Sequence, residues 1–347
     1  MNWREIDYFK LYIAVFAAVF ITVNLLNTLE AQAVGSVVVM VLPFVLLHRF
    51  LLREKVAFSA IAALLIILVL VQYLASPYLI TVLYLVTANE EIDRRVKVLA
   101  EKYGVSGVEG GYISYAPFPN AFTYGNVFTG YRVVVTYPLL LILDGGELDA
   151  VIMHELGHIK HRDVEALMAL SLAPTVLYWL GRACLSDRDD DNDGVGAIAL
   201  ITSILMSYQL LKYSRIREYY ADAFAKQHGY GKPLAKALAK LAIIYVNIPA
   251  IIEMQRPGLF SQLFISSGEG DDVFRDVNFT KKITKTSGDN ITSILAKARA
   301  YLDEKAEELV YKCRKPSIPE WAYYIMELGS DHPSIVLRIK ALIEEEP

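Results

Sequence analysis

Cysteine is nearly absent from this sequence, which has Cys184 and Cys313 as its two cysteines among 347 residues. They stand far apart and fit neither the C-x-x-C spacing of a metal site nor that of a redox motif. The sequence therefore excludes a small scaffold built on disulfides. It indicates a reducing compartment or a fold that needs no disulfide bond.

An excess of basic charge is also missing, since 34 lysines and arginines face 38 acidic residues and the net charge is −4. This balance leaves no electrostatic footprint for nucleic acid, and we expect no nucleic-acid partner. Apolar residues are abundant instead, at 54% of the chain, and the mean hydropathy is +0.35. Such a composition indicates a membrane protein with a polar portion.

Several apolar runs are candidates for membrane-spanning helices, since a span needs about 20 residues. They cover residues 8–28, 33–52, 57–87, 166–181 and 194–211. The first run is long enough to remain as an anchor rather than serve as a cleaved signal. The third is too long for one untilted pass and short for two. It is either one span with an interfacial piece after Pro77 or a tight hairpin.

The most informative stretch is Val151–Lys160, which contains the pattern H-E-x-x-H at His154, Glu155 and His158. In a helix the two histidines lie on one face and can together hold one zinc ion. Glu155 points to the neighbouring side, where it can accept a proton from the attacking water. Gly157 is a poor helix former, so its position between the histidines predicts close packing against the backbone there.

The alternative for the histidine pair is a buried structural pair. The pair alone is also incomplete as a zinc site, because a catalytic zinc ion normally needs a third protein ligand and a place for water. Glu218 is the natural third ligand, since it lies in a second helical run, Ser214–Ala225. Asp222 lies one turn further and can accept the free N–H of a ligating histidine. The alternative for both carboxylates is an exposed pair that forms salt bridges with Arg215 or Arg217.

The order of these motifs along the chain is compatible with one site. The histidines precede the two mid-chain apolar runs, and Glu218 follows them. Two passes return the chain to the face on which it started, so both halves of the site lie on the same side of the membrane.

The polar segments show further periodic patterns. Residues 89–104 are typical of an amphipathic helix, and Gly111–Tyr115 and Tyr131–Tyr137 are typical of strands. Between these strands, Pro119–Gly125 taken alone is typical of a loop. Two later helices are predicted over about 233–247 and 292–312, and residues 256–292 between them are predicted to be rich in loops. Three lysines of the first, Lys232, Lys236 and Lys240, predict an exposed polar stripe.

Four motifs together resemble the HtpX-like membrane metallopeptidases, which are related to the CAAX prenyl proteases. They are His154-Glu155-Leu156-Gly157-His158 followed by Asp163, Glu218 to Asp222 after Ser214-Arg215, Asn120-Ala121-Phe122 to Gly125, and His332-Pro333 to Arg338-Ile339. They occur in the family's order and cover roughly residues 75–342, which is far more specific than one zinc motif.

The resemblance implies an α+β zincin-type metallopeptidase domain, mostly helical with a small sheet, built on a multi-span α-helical membrane anchor. We expect N-terminal membrane segments over 1–88 and a transmembrane hairpin over 166–212. The catalytic domain is then formed by two parts, 89–165 and 213–347. Two features depart from the usual family pattern, namely the third apolar run and the length of residues 250–325.

The resemblance also implies a role for each motif residue. His154, His158 and Glu218 would bind one Zn²⁺ ion per chain, and Glu155 would be the general base. His332 would stabilise the oxyanion, with a capping or surface histidine before a proline as the alternative. The segment of Asn120, Ala121 and Phe122 would pair with the substrate backbone in extended form.

The implied function is that of an integral-membrane zinc endopeptidase that cleaves membrane or misfolded proteins, with the lipid bilayer and polypeptide substrates as partners. Two alternatives stay open. One is a protease that processes prenylated peptides, and the other is a membrane scaffold or transport component with structural zinc. Glu155 argues against the second, since a structural site needs no base and usually has four protein ligands.

Basic residues indicate which way the chain faces. They cluster on the catalytic side, at Arg94, Arg95, Lys97, Lys160, Arg162, Lys212, Arg215 and Arg217, whereas the opposite loop, Asp187–Asp193, is acidic. The positive-inside rule therefore predicts a multi-pass cell-membrane protein with a cytoplasmic site. Arg49, Arg53 and Lys55 also favour the cytoplasmic side for the loop that contains them. Both predictions hold only if residues 57–87 cross the membrane twice or not at all.

Overall fold

The computed structural model describes residues 3–26, 28–53, 55–186, 193–247, 274, 291–316, 318–327 and 332–344. Over these residues the chain is mostly helical and contains a four-stranded mixed sheet. It divides into two compact units. The first unit consists of Met1–Leu74 with Glu165–Ile216, and the second of Ala75–Val164 with Arg217–Pro347. Most of the predicted loop-rich interval 256–292 lies outside the described residues.

The first unit is helical. Its helices are α1 (Trp3–Asn24), α2 (Leu29–Arg53), the first part of α3 (Lys55–Leu83), most of α7 (Asp163–Ser186) and the first part of α8 (Asp193–Ala225). Their core includes Phe16, Leu177 and Met206. Two polar contacts cross between the helices: Tyr12 Oη lies 2.8 Å from Thr202 Oγ1, and Gln209 Nε2 donates to Ser36 Oγ at 2.6 Å.

Each of the five predicted apolar runs lies mostly in a helix. Two stretches among the described residues are long and apolar enough to cross a membrane, Ile66–Leu83 and Asp163–Leu185. Most of the third run forms one continuous helix, α3, so the hairpin interpretation of residues 57–87 is wrong. A proline removes one backbone hydrogen bond but does not have to reverse the chain. At Pro77 the carbonyl accepts a hydrogen bond from Thr81 Oγ1 at 2.7 Å.

The second unit contains the sheet. Its strands are β1 (Val86–Ala88), β2 (Val108–Ser114), β3 (Ala121–Asn126) and β4 (Gly130–Thr136), in the order β1-β2-β4-β3. Strands β2 and β4 are parallel, and the other two pairs are antiparallel. The interpretation of Pro119–Gly125 as a loop is wrong for most of its length. Phe122 pairs with Val134 there, and this cross-strand pairing outweighs the local turn-forming residues.

Helices cover one face of the sheet. The helices of this unit are α4 (Glu90–Lys102), α5 (Tyr137–Ile142), α6 (Gly145–His161), the end of α8, α9 (Gly231–Asn247), α10 (Ile291–Cys313), α11 (Glu320–Met326) and α12 (Ile335–Ile343). Val133 and Val135 of β4 belong to the helical core, whereas Val134 belongs to a smaller cluster with Tyr84 and Phe122. Because side chains alternate along a strand, this division separates the two faces of the sheet.

Lys240 of α9 is fully buried, so the predicted exposed stripe is wrong at this position. Its Nζ donates to Glu147 Oε2 at 2.6 Å and to the Ile142 carbonyl at 3.2 Å, and it also pairs with Asp303. These acceptors come from distant segments, so the helical periodicity of α9 alone did not reveal them. They compensate the cost of burying the ammonium group.

Candidate metal centre

Helix α6 begins with a reciprocal cap. The Glu147 amide donates to Asp144 Oδ1 at 2.8 Å, and the Asp144 amide donates to Glu147 Oε2 at 3.0 Å. This capping box satisfies backbone donors that have no partner within the helix. Glu147 also accepts from the buried Lys240, so the first turn of α6 is fixed to the core. Further along the same helix, His154 is buried.

Close packing at Gly157 brings α8 against α6, as the sequence predicted. A Cβ atom added to Gly157 would lie 3.0 Å from the Cα atom of Ala221 and 3.3 Å from its Cβ atom. Any larger side chain would therefore push the two helices apart. The contact places Glu218, one turn before Asp222 on α8, beside the histidines of α6.

His154, His158 and Glu218 converge on one point. Each offers one ligand atom, and these atoms all lie within 4.8 Å of one another. Glu218 Oε2 lies 3.6 Å from His154 Nε2, and Glu218 Oε1 lies 3.6 Å from His158 Nε2. Ligands of a tetrahedral zinc ion lie about 3.3 Å apart, since each bond is about 2.0–2.1 Å long. The donor set and spacing therefore fit a zinc ion.

The other ring nitrogen of each histidine faces a carboxylate. His154 Nδ1 lies 3.0 Å from Asp222 Oδ1, and His158 Nδ1 lies 2.6 Å from Asp163 Oδ2. These contacts assign the proton to Nδ1 in both rings and leave the Nε2 lone pairs for a metal. Among the described residues, the buried Nε2 atom of His154 has no hydrogen-bond partner. Asp222 lies where the sequence predicted, whereas the role of Asp163 was missed although it closely follows the histidine motif.

Arg338 of α12 joins the third ligand to the carboxylate behind the first. It is fully buried and donates to Asp222 from Nε at 2.7 Å and from Nη2 at 2.8 Å. Its Nη1 lies 3.2 Å from Glu218 Oε2. Sequence reasoning noted Arg338 in the late motif but gave it no role, because its partners are more than 100 residues away.

Charge in the site favours a cation. Burial raises the pKa of Glu218, but the neighbouring His154 and the charge of Arg338 outweigh burial and hold the pKa well below its ordinary value. Burial lowers the pKa of His154, but the neighbouring Asp222 and Glu218 carboxylates outweigh burial and raise the pKa to about 9. The same two carboxylates would stabilise a bound divalent cation.

Glu155 is held from the edge strand. Its side chain is buried, and Thr123 Oγ1 of β3 donates to Glu155 Oε2 at 2.9 Å. The second carboxylate oxygen is left for another donor, which a general base requires. Thr123 was missed from the sequence, because the segment around it was interpreted as a loop.

The structure places the predicted substrate segment at the edge of the sheet but buries its side chains. Asn120 is fully buried, and its carbonyl accepts from the Thr136 amide of β4 at 2.9 Å. Phe122 packs against Tyr84, with ring centroids 5.0 Å apart, on the face of the sheet away from the helical core. Ala121 faces that core. The Phe122 side chain is therefore turned away from Glu155.

His332 lies next to the third ligand. It is 5% exposed, and its Nδ1 lies 4.0 Å from Glu218 Oε1. The surface alternative for this histidine is therefore wrong. The site thus draws on α6, the end of α8, β3 and the segment that leads into α12.

Sequence comparisons find known proteins that are similar to most of this chain. Residues 87–346 match the profile of peptidase family M48. A protease HtpX homologue of Archaeoglobus fulgidus is 35% identical over 216 residues, which are 60% of this chain and 64% of that protein. One from Aeropyrum pernix is 31% identical over 293 residues, or 79% of this chain and 82% of that protein.

Among solved structures, S. mikatae Ste24p matches 82% of this chain and 58% of its own, with a TM-score of 0.45 and 15% identity. The matches to the first curated relatives span 64%, 59% and 59% of those proteins. The family profile covers strands β2, β3 and β4 and every residue of the metal centre, and it confirms the predicted resemblance. The chain belongs to peptidase family M48.

Proposed function

We propose that this chain is a zinc-dependent membrane endopeptidase that hydrolyses peptide bonds of misfolded polypeptides, membrane proteins among them. One observation carries the proposal: the ligand atoms of His154, His158 and Glu218 converge at a buried point beside a buried carboxylate, Glu155. Structural zinc sites are normally closed by four protein ligands. The cluster found among the described residues has three, which favours a catalytic site with room for water.

The proposed reaction assigns each proton to a residue. A zinc ion held by His154, His158 and Glu218 would supply Lewis acidity to a water molecule and to the scissile carbonyl. Glu155 accepts the proton of the attacking water and then delivers it to the leaving amine. His332 donates to the oxyanion of the tetrahedral intermediate. No covalent acyl-enzyme forms, because water itself is the nucleophile.

Strand addition to β3 would bring the substrate to Glu155. In an antiparallel ladder, alternate residues bond to the partner strand, and the residues between them point their N–H and C=O groups outward. Asn120 bonds to Thr136 of β4, so alternation turns the main-chain groups of Ala121 and Thr123 towards the side of β3 on which no strand of the described residues pairs. An extended peptide can bond to both residues. Its backbone would then run past the hydroxyl that holds Glu155.

The proposed arrangement in the membrane follows the predicted segments. Residues 1–88 and 166–212 would form the anchor, and residues 89–165 and 213–347 would form the catalytic domain. Two stretches already have the length and composition of spans. The basic residues beside the catalytic segments favour a site that faces the cytoplasm.

Metal removal from the purified protein in detergent tests this function. We expect one zinc per chain and cleavage of a permanently unfolded protein that stops on chelation and returns with zinc. The matched control is Glu155→Gln, which should retain zinc and lose about 10²–10⁴-fold in rate, because an amide cannot act as the base. Cleavage that survives complete removal of zinc would contradict the proposal.

The same assay distinguishes the prenyl-processing alternative. Two peptides of one sequence, with and without a farnesyl group on a C-terminal cysteine, are offered in competition. A quality-control peptidase that recognises the backbone should cleave both at similar rates. Strong preference for the farnesylated peptide would favour the alternative.

A further inference from the structure

Glu327 is a buried carboxylate that takes no part in the proposed reaction. Its side chain follows α11 and is 6% exposed. Its Oε1 atom accepts a hydrogen bond from the Ser334 amide at 2.6 Å. Burying a carboxylate costs free energy unless its oxygens accept hydrogen bonds. The burial of Glu327 against the Ser334 amide therefore calls for a structural or functional reason.

The Ser334 amide is the start of the segment that leads from His332 into α12. Ser334 is the N-cap residue of α12, and the N–H of an N-cap residue has no partner within its own helix. Ser334 also stands two residues after His332, with Pro333 between them, whose ring fixes its φ angle. A bond that fixes the Ser334 amide therefore limits where the His332 ring can lie.

We propose that Glu327 is a positioning residue that holds His332 over the metal centre through the Ser334 amide. The inference rests on the proposed function, and in particular on the assignment of His332 to the oxyanion. His332 Nδ1 lies 4.0 Å from Glu218 Oε1, so the ring lies beside a proposed zinc ligand and close to where the scissile carbonyl would bind. A donor there must be placed closely, since a displacement of about 1 Å can cost about 100-fold in rate.

A plain helix cap is the simpler explanation for the same bond, and it makes a different prediction. Helix α12 also carries Arg338, which holds Asp222 and contacts Glu218. Loss of a cap would loosen the whole helix and would lower zinc affinity through Arg338. Loss of positioning would leave zinc bound and would weaken only the interactions that His332 makes.

The test compares Glu327→Ala with Glu327→Gln, whose amide oxygen can still accept from Ser334. The matched control is Glu320→Ala, because Glu320 is 48% exposed and pairs with Lys340, which ties the same two helices at the surface. We expect Glu327→Ala to lower kcat by about 10–100-fold with KM and zinc content unchanged. Glu327→Gln should restore most of the rate, and Glu320→Ala should match the wild type.

A double variant shows whether Glu327 acts through His332. Combining Glu327→Ala with His332→Ala should slow cleavage no further than His332→Ala alone, since both changes remove one interaction. A phosphinic peptide, whose tetrahedral phosphinate stands in for the oxyanion, should lose affinity equally in both single variants. Fully additive losses, wild-type kcat in Glu327→Ala or early loss of its zinc would overturn the proposal.

Two further outcomes separate this inference from the proposed function. If His332→Ala keeps the wild-type rate and phosphinate affinity, the positioning role fails, while the peptidase function stands. If zinc-loaded wild-type protein cleaves nothing, the function fails. Crystal structures then decide on positioning alone: His332 should shift relative to Glu218 in Glu327→Ala and stay in place in Glu327→Gln. An unmoved His332 in both variants would overturn the proposal.

Discussion

Arg338 donates two hydrogen bonds of nearly equal length to the Asp222 carboxylate, from Nε at 2.7 Å and from Nη2 at 2.8 Å. The same guanidinium places Nη1 at 3.2 Å from Glu218 Oε2. Asp222 orients His154, and Glu218 is itself a proposed ligand. One buried side chain of α12 thus contacts Glu218 directly and His154 through Asp222, which are two of the three proposed ligands.

Replacing Arg338 with lysine should weaken zinc binding by about 10–100-fold, the usual cost of losing a partner that orients metal ligands. Lysine retains the charge but lacks the planar fork that bonds both oxygens of Asp222. Competition with a chelator of known affinity measures the change. Arg338→Ala should also lower the free energy of unfolding by about 3–5 kcal/mol, because it leaves two carboxylates buried without their cation. Unchanged zinc affinity in Arg338→Lys would show that the fork is dispensable.

Replacing Glu218 with alanine should remove most of the bound zinc, because a histidine pair alone completes neither the charge nor the coordination of the site. Elemental analysis of purified protein measures the stoichiometry. The control is Glu101→Ala, which removes an exposed carboxylate of α4 and should keep one zinc per chain. Full occupancy in Glu218→Ala would remove Glu218 from the ligand set.

Thr123→Val should slow cleavage about tenfold, since it removes one hydrogen bond of about 1.5 kcal/mol to the charged Glu155 without changing side-chain size. Thr123→Ser retains the hydroxyl and should recover most of the rate. Zinc content should be the same in both variants, because Thr123 contacts no ligand that we identify. Equal rates in the valine and serine variants would show that Glu155 needs no support from β3.

Substrate peptides methylated on single backbone nitrogens should lose affinity with a period of two residues. If the peptide pairs with Ala121 and Thr123, alternate amides of the peptide donate to β3, and methylation removes those donors. Inhibition constants of the methylated series measure the pattern. A uniform effect along the peptide would contradict pairing with β3. So would a crystal structure with the bound peptide on the far side of the metal from Asn120.

The catalytic side should be cytoplasmic. In a chain whose native Cys184 and Cys313 are replaced, a cysteine at Asn192, outside the described residues, should react with an impermeant reagent added to intact cells. A cysteine at the exposed Lys97 of α4 should react only after lysis. The basic and acidic residues around the mid-chain runs predict this pattern through the positive-inside rule. The reverse labelling would put the site outside the cell.

The placement of site residues on a common face of one helix could be predicted from the sequence. His154 and His158 are four residues apart, as are Glu218 and Asp222, and helical geometry alone puts each pair on one face. Gly157 signalled the close approach of a second helix, because a residue of such poor helix propensity needs a packing reason.

Contacts between distant segments could not be predicted in the same way. Strand β3 exists because β4 pairs with it, whereas its own residues include strong turn formers. Lys240 fits an exposed stripe until its acceptors from Ile142, Glu147 and Asp303 are known. The partners of Arg338 likewise come from another helix. One sequence carries no pairing information of this kind, so these features emerged only from the structure.

In the proposed binding mode, β3 offers the substrate the main-chain groups of Ala121 and Thr123, and such groups are the same in every polypeptide. A protein can pair with them only while its own N–H and C=O groups are not engaged in helices or sheets. Binding of a substrate at this edge would therefore compete with folding of the substrate itself. A chain that folds fast hides its backbone before it can bind, and a chain that stalls stays available. Selection at β3 would thus depend on how long the backbone of a substrate stays unpaired rather than on its side-chain sequence.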